Sequence, residues 1–462
     1  MKIVFCASEV VPFAKTGGLA DVCGALPPAL EKLGHEVIII TPRYKAAKIN
    51  APSPVVRIGE NVKVYFIEHS QYFGREGLYG DQTGDYVDNL ERFAFFCHAA
   101  LKLLKDINFR PDIVHCHDWH TALIPVLLAT KHEQTPFFKN TSSVLTVHNL
   151  AYQGVFPKSQ YNKLGLEGNL FHTQGLEFYD QINILKGGII FSDAVTTVSP
   201  QYAKEIQGPK LGCGLDGVLR NRSHDIYGIL NGLDYEVWNS KDDPLLEHRY
   251  DASDISGKYK NKAFLQQMLE LPIKADVPLL GLVARLCHQK GVDLVAESID
   301  EVVKGGAQVV FSGVGDRRYH RMLEDAQRRY PRNIGLYLEF EETMAHRVYA
   351  GSDFFLMPSV FEPCGLGQMI ALRYGSIPIV HRTGGLADTI RLYDPIHQTG
   401  NGFLFTEYTK PSFVKAVQEA LKVYRNKAHM DFLLAQALRQ RFSWEKSAKE
   451  YVKVYQKCLS EK

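Results

Sequence analysis

Three groups of residues in this chain have the types and spacing to meet a phosphorylated ligand. Lys15 stands just before Gly17 and Gly18, between an apolar run and a helical pattern. Glycines permit positive φ and close backbone approach, and a helix start offers free N–H groups and a positive dipole end. Such a loop suits a phosphate or a developing anion, and a plain tight turn is the competing reading. It is neither G-x-G-x-x-G nor a Walker loop. Arg285 and Lys290 form a second group, at a strand end and just before Gly291 and a helical pattern. Two cations so placed repel unless an anion such as a diphosphate lies between them; otherwise they are solvated surface charges. Gly313 to Asp316 makes a further glycine-rich strand end in the same half. The third group runs from Met357 to Gly367, with Glu362 in a loop that opens a helix near Gly365. Its carboxylate could bind sugar hydroxyls, balance charge on a sugar ring, or cap the helix.

The first half adds polar residues at strand ends. The run His115-Cys116-His117-Asp118-Trp119-His120 invites a metal reading. His115 and His117 share one strand face while the rest enters a turn, and no second ligand cluster of matched spacing appears. A polar strand end facing a ligand is the better reading. Trp119 is either a platform for the C–H face of a hexose or core packing. His148-Asn149 and Asn231-Gly232 follow two further strands, where open α/β sheets bind ligands.

These positions presuppose a particular scaffold. Apolar runs at Ile3–Ala7, Glu36–Thr41, Ile113–His117, Val144–His148, Ala194–Ser199 and Asp225–Leu230 alternate with amphipathic segments such as Asn89–Leu104 and Thr121–Lys131. The alternation weakens between Leu233 and Lys262. It resumes with Leu279–Arg285, Gln308–Gly313, Ile334–Glu339, Phe354–Pro358 and Ile377–His381. Strand–helix alternation predicts parallel sheets with crossover helices. Two α/β domains are expected, over 1–235 and 236–443. A terminal helix over 444–462 would tie the lobes together if it crosses back to the first domain. Pro27 and Pro28 predict a kink or restart in the first helix. Residues 15–21 reappear in near-identical form as 382–388, each after a strand and opening a helix.

Composition bounds the function. The chain has 462 residues, 45% hydrophobic and 23% charged, with formal net charge +2. It can supply two cores. No basic block points to nucleic acid or a membrane surface, and no apolar stretch is long enough to span a bilayer. The first apolar run is too short for a signal segment. Eight scattered cysteines without a C-x-x-C pair fit a reducing compartment, so a cytoplasmic protein is expected.

Taken together, the blocks resemble the bacterial glycogen synthase and plant starch synthase family. They are Lys15–Val22, His117-Asp118-Trp119, Thr146–Asn149, Asn231–Asp234, Arg285-Leu286 with Gln289-Lys290-Gly291, Phe361–Leu366 and Arg382–Asp388. The similarity runs from Met1 to about Trp444. It implies the GT-B fold, two Rossmann-like domains with parallel sheets facing a cleft. It also implies transfer of glucose from ADP-glucose to the non-reducing end of an α-1,4-glucan, with retention and with neither metal nor cofactor. Residue by residue, the resemblance gives His148, Arg285, Lys290 and Glu362 catalytic roles, with Arg285 and Lys290 on the diphosphate. Lys15, Gly17, Gly18, Asn231, Gly313 and Phe340 would serve the donor, and Glu362, Cys364, Gly365 and Leu366 its glucose. Asp21, Asp118, Trp119 and Asn149 would lie on the acceptor side. Phe340 stands where Tyr is common near the base. UDP-glucose or another acceptor, and an inactive glucan-binding relative, remain as alternatives.

Overall fold

The computed structural model describes residues 1–45, 55–133, 135–166, 170–339 and 341–462. They form two compact units, Met1–Gly232 with Ser443–Lys462, and Leu233–Phe442.

The first unit is built on an eight-stranded sheet. Its strands are β1 (Lys2–Cys6), β2 (Glu36–Pro42), β3 (Val55–Ile58), β4 (Val62–Ile67), β5 (Ile113–His117), β6 (Ser142–Val147), β7 (Ala194–Thr197) and β8 (Ile226–Gly228). The order is β8-β7-β6-β5-β1-β2-β4-β3. Every neighbouring pair is parallel except β3 against β4. β1, β5 and β6 are short apolar runs buried on both faces, as central parallel strands covered by helices must be. Because they are adjacent and parallel, their carboxyl ends bring Glu9, Asp118 and His148 to one edge of the sheet.

Helix α1 (Gly18–Lys32) runs without a restart through Pro27 and Pro28. That differs from the interruption expected of two interior prolines. The local cost is offset by burial of Leu19, Val22, Cys23, Leu26, Pro27 and Leu30 along one face. Helix α2 (Asn89–Asp106) covers the other side of the sheet with Phe93, Phe96, Cys97, Leu101 and Leu104. The terminal helix, α3 (Trp444–Ser460), packs on α1 and β6. Its buried residues Trp444, Ala448, Tyr451, Tyr455 and Cys458 recur every three or four positions, one helical face. Ser447 Oγ donates to the Leu230 carbonyl at 2.6 Å, and a Cβ on Gly232 would lie 2.5 Å from the Trp444 nitrogen. Only glycine allows that approach.

The second unit has a six-stranded parallel sheet. Its strands are β9 (Leu279–Val283), β10 (Gln308–Ser312), β11 (Ile334–Tyr337), β12 (Phe354–Met357), β13 (Ile377–His381) and β14 (Phe403–Phe405), in the order β11-β10-β9-β12-β13-β14. Gly313, Arg285, Glu362 and Gly384 therefore follow four adjacent strands. Among the described residues no helix is long and apolar enough to cross a membrane.

Candidate active site

In the first unit the glycine loop is organised by a residue that the sequence reading passed over. Glu9, 4% exposed, lies two residues beyond the apolar run that contains β1. Its Oε2 accepts from the N–H groups of Thr16 and Gly17. Its Oε1 accepts from Thr16 Oγ1 and from the Tyr79 hydroxyl, each at 2.7 Å. The strand-end rule that singled out His148 would have found Glu9 had it been applied to the first strand. Gly17 is extended, with φ −158°, and a Cβ on Gly17 or Gly18 would meet nothing within 4 Å. These glycines therefore do not serve the positive φ expected of them. They keep open the space over the loop. Lys15 projects beside them in a 2.7 Å ion pair with Asp21, half exposed and so of small energetic weight.

Asp118 follows β5 with φ +54°, a left-handed conformation that Asp tolerates better than most residues. This turn brings its Oδ1 within 2.7 Å of the His148 backbone N–H. Burial pushes the Asp118 carboxyl up to about 7, against the pull of the His148 and Asn149 N–H groups. Burial also holds His148 down at about 3, so its ring is neutral at physiological pH. His148 Nε2 lies 3.0 Å from His117 Nδ1. Asn149 Oδ1 accepts from the Ala151 N–H in a local turn. Asn231 is 5% exposed, and its Oδ1 has no hydrogen-bond partner among the described residues.

Burial decides two points for this run. Trp119 packs in the core, one of the two readings that the sequence leaves open for it. Its ring is 9% exposed and packs against Phe93, Phe156 and His120. Gly154, at φ +63°, comes so close that a Cβ would lie 2.5 Å from the indole. His115 is likewise absorbed: one ring nitrogen lies 2.6 Å from Thr146 Oγ1 and the other 2.8 Å from the Tyr455 hydroxyl. Among the described residues no group of three or more His, Cys, Asp or Glu is placed to hold a metal ion.

In the second unit Lys290 donates to Glu362 Oε2 at 2.6 Å, and Ser359 Oγ donates to the same oxygen at 2.9 Å. The Glu362 side chain is 7% exposed and that of Lys290 22%. From sequence alone these residues face separate ligand groups, and Arg285 and Lys290 repel each other unless an anion lies between them. The structure neutralises Lys290 with Glu362. Arg285 is exposed and makes no hydrogen bond or ion pair among the described residues. Gly291, at φ +68°, sets the Lys290 turn against Pro358, whose carbonyl would sit 2.0 Å from a Cβ there. Gly313, at φ +145°, presses in the same way on the Ala284 carbonyl.

Cys364 is buried and Gly365 has φ +71°. Leu366 caps a helix that begins at Gly367, two residues later than expected. Gly384 and Gly385, the echo of Gly17 and Gly18, pack directly on this loop. The Gly385 N–H donates to the Glu362 and Pro363 carbonyls, and a Cβ on Gly385 would lie 2.0 Å from the Cys364 carbonyl oxygen. Phe340 lies outside the described residues.

A carboxylate-bound lysine and an exposed arginine thus both follow β9, at the carboxyl ends of a parallel sheet where open α/β folds bind ligands. The model of the starch synthase catalytic domain matches residues 2–221, and that of glycosyl transferases group 1 matches residues 266–431. A glycogen synthase of Geotalea uraniireducens is 44% identical and covers 100% of both chains. One from Thermotoga maritima is also 44% identical, over 100% of this chain and 99% of its own. Among solved structures, the catalytic domain of starch synthase IV from Arabidopsis thaliana bound to ADP and acarbose superposes with a TM-score of 0.89. It is 35% identical and covers 99% of each chain. Sucrose-phosphate synthase from Thermosynechococcus elongatus, 17% identical with a TM-score of 0.64, shares the fold. Fold and site thus define a glycosyltransferase of the GT-B class. More narrowly, the chain belongs to the glycogen and starch synthase family.

Proposed function

We propose that the protein elongates an α-1,4-glucan at its non-reducing end with glucose from ADP-glucose, retaining the anomeric configuration. The observation that carries this reading is the full-length likeness to a synthase catalytic domain bound to ADP and acarbose. Arg285 and Lys290 supply positive charge for the departing diphosphate, where preorganised electrostatics contribute most. Glu362 keeps Lys290 in place and offers its remaining acceptor capacity to sugar hydroxyls.

Retention through a covalent intermediate would need a carboxylate nucleophile. In the first unit the two buried carboxylates at the strand ends are otherwise engaged. Glu9 takes two backbone N–H groups and two hydroxyls, and Asp118 takes the His148 N–H. This supports attack by the acceptor hydroxyl on the face that the diphosphate leaves, a phosphate oxygen taking the proton. His148 then orients the sugar.

The reading calls for neither metal nor cofactor, and transfer is expected to survive exhaustive chelation. Loss restored by one divalent ion would overturn that part. The eight cysteines are thiols and not disulfides, and six of them are buried, which supports a cytoplasmic location. The deciding assay offers radiolabelled ADP-glucose and UDP-glucose to a maltooligosaccharide primer. Extension from ADP-glucose is expected. Extension from UDP-glucose alone would reassign the donor, and extension from neither would leave a glucan-binding relative.

A further inference from the structure

We propose that His117 is a positioning residue that fixes the tautomer of His148, so that His148 faces its ligand as an Nδ1–H hydrogen-bond donor. His117 lies on β5 with no exposed surface, and its Nδ1 is 3.0 Å from His148 Nε2. Burial holds both rings neutral. Each neutral imidazole carries one proton, so a single proton lies between these two nitrogens, and the atom that bears it decides the remaining two.

The surroundings of His117 Nε2 settle the choice. That atom is buried and has no hydrogen-bond partner among the described residues. Phe5 stacks on the ring at 5.3 Å with 21° between planes, so an in-plane N–H cannot point into its face. His115 lies over the ring at 4.3 Å, with both its nitrogens occupied by Thr146 and Tyr455. If His148 Nε2 carried the shared proton, the proton of His117 would sit on Nε2 as a buried, unanswered N–H. Such orphaned donors are rarer in folded proteins than under-satisfied acceptors. The proton therefore belongs on His117 Nδ1, and His148 Nε2 accepts it.

The proton of His148 is then on Nδ1, which makes no hydrogen bond within the described residues, in a side chain that keeps 9% exposure. Its main chain is held by Asp118, so the ring is fixed from both sides. A donor at that position can hold a sugar oxygen and cannot take a proton from it. This last step rests on the glucosyl-transfer reading above; the tautomer itself does not.

The test uses full-length protein labelled with 15N in its histidine rings. Long-range proton–nitrogen correlation spectra, with the His148 ring assigned by its loss in His148→Asn, should show a protonated Nδ1 and a bare Nε2. A His148 protonated at Nε2 would overturn the proposal whether or not the enzyme is active. Three variants add a functional readout. Asn places an amide N–H near the position of His Nδ1, Gln places it near Nε2, and Phe removes it. Expected are near-normal transfer in His117→Asn and a fall in kcat on the order of 10- to 100-fold in His117→Gln and His117→Phe, the usual effect of removing an orienting partner. Donor KM should change little. Folded Asn and Phe variants that are equally impaired would contradict the role. Where His117→Phe does not fold, the wild-type spectrum alone decides. Inactivity of the wild-type protein with either donor would count against the glucosyl-transfer reading and leave the tautomer standing.

Discussion

Lys290 and Glu362, seventy-two residues apart in sequence, form a partly buried ion pair whose Nζ and Oε2 are 2.6 Å apart.

The pair makes the two side chains energetically dependent. Removing Lys290 leaves a nearly buried carboxylate with Ser359 as its remaining donor among the described residues, while removing Glu362 releases a partly buried cation. Lys290→Ala should lower kcat by about 10²–10³-fold, as does loss of a preorganised charge stabiliser, and should weaken ADP binding. Glu362→Gln should impair transfer yet leave ADP affinity equal or tighter, because the lysine is freed for phosphate. The double variant should fall short of the product of the singles. Calorimetric ADP titration beside steady-state kinetics checks this. Loss of ADP binding in a folded Glu362→Gln variant would contradict it.

The two glycine pairs of the internal echo should respond oppositely to a methyl group. A Cβ on Gly385 would lie 2.0 Å from the Cys364 carbonyl oxygen, and Gly384 has φ +42°. Gly385→Ala should therefore displace the Glu362 loop, lowering both melting temperature and transfer, at a cost of roughly 3 kcal/mol or more. Gly17→Ala and Gly18→Ala meet nothing within 4 Å and should stay within about 0.5 kcal/mol of the parent. A fall in their transfer rate without a fall in stability would show that substrate approaches that open surface. Equal destabilisation at 18 and 385 would refute the contrast.

This echo also shows where sequence reading stops. The segments 15–21 and 382–388 are alike in residue type, and each does start a helix after a strand. Their surroundings, set by distant residues, give one pair open space and the other backbone contact. Strands buried on both faces, such as β1 and β9, were legible as apolar runs. The β3–β4 pair was not, because exposed Arg57 and Lys63 interrupt a strand pairing at the sheet edge. The three-residue β14 is too short to carry a periodic signal. The placement of His148, Arg285 and Glu362 after strands was legible because strand ends can be counted. The burial of Trp119, the tie between Lys290 and Glu362 and the bonds of Glu9 were not, since each depends on partners that only the fold brings near.

Asp118 predicts a pH dependence of stability. Burial raises its carboxyl from 3.8 to about 7 in the folded protein. Between those values the folded state holds a proton that the unfolded chain has lost. The contribution is full below about 4, declines as pH rises and is gone above about 7. The rise corresponds to a ceiling of about 4 kcal/mol. Asp118→Asn keeps an oxygen for the His148 N–H and cannot titrate. The stability of the parent relative to this variant should therefore fall from pH 4 to 7 and then level off, as read from urea denaturation at successive pH values. A difference that grows with pH would mean that the two backbone N–H groups outweigh burial and keep the carboxylate ionised.

Glu9 separates loop positioning from charge. Its four hydrogen bonds come from two backbone N–H groups, which can only donate, and two hydroxyls, which can also accept. Glu9→Gln can turn its oxygen toward Thr16 and Gly17 and its amide toward the Thr16 and Tyr79 hydroxyls. The loop should survive, with a stability loss of about 1 kcal/mol, near the net worth of one hydrogen bond. Glu9→Ala strands two backbone donors and two hydroxyls around a cavity. It should cost about 2–4 kcal/mol and release Lys15 from its fixed approach, lowering transfer far more than Glu9→Gln does. Tyr79→Phe removes one of the four bonds and should resemble Glu9→Gln. Melting temperatures and transfer rates of the three variants decide the matter. If Glu9→Gln proves as inactive as Glu9→Ala while keeping its stability, the negative charge of Glu9 takes part in the reaction itself, and anchoring the loop is not its main task.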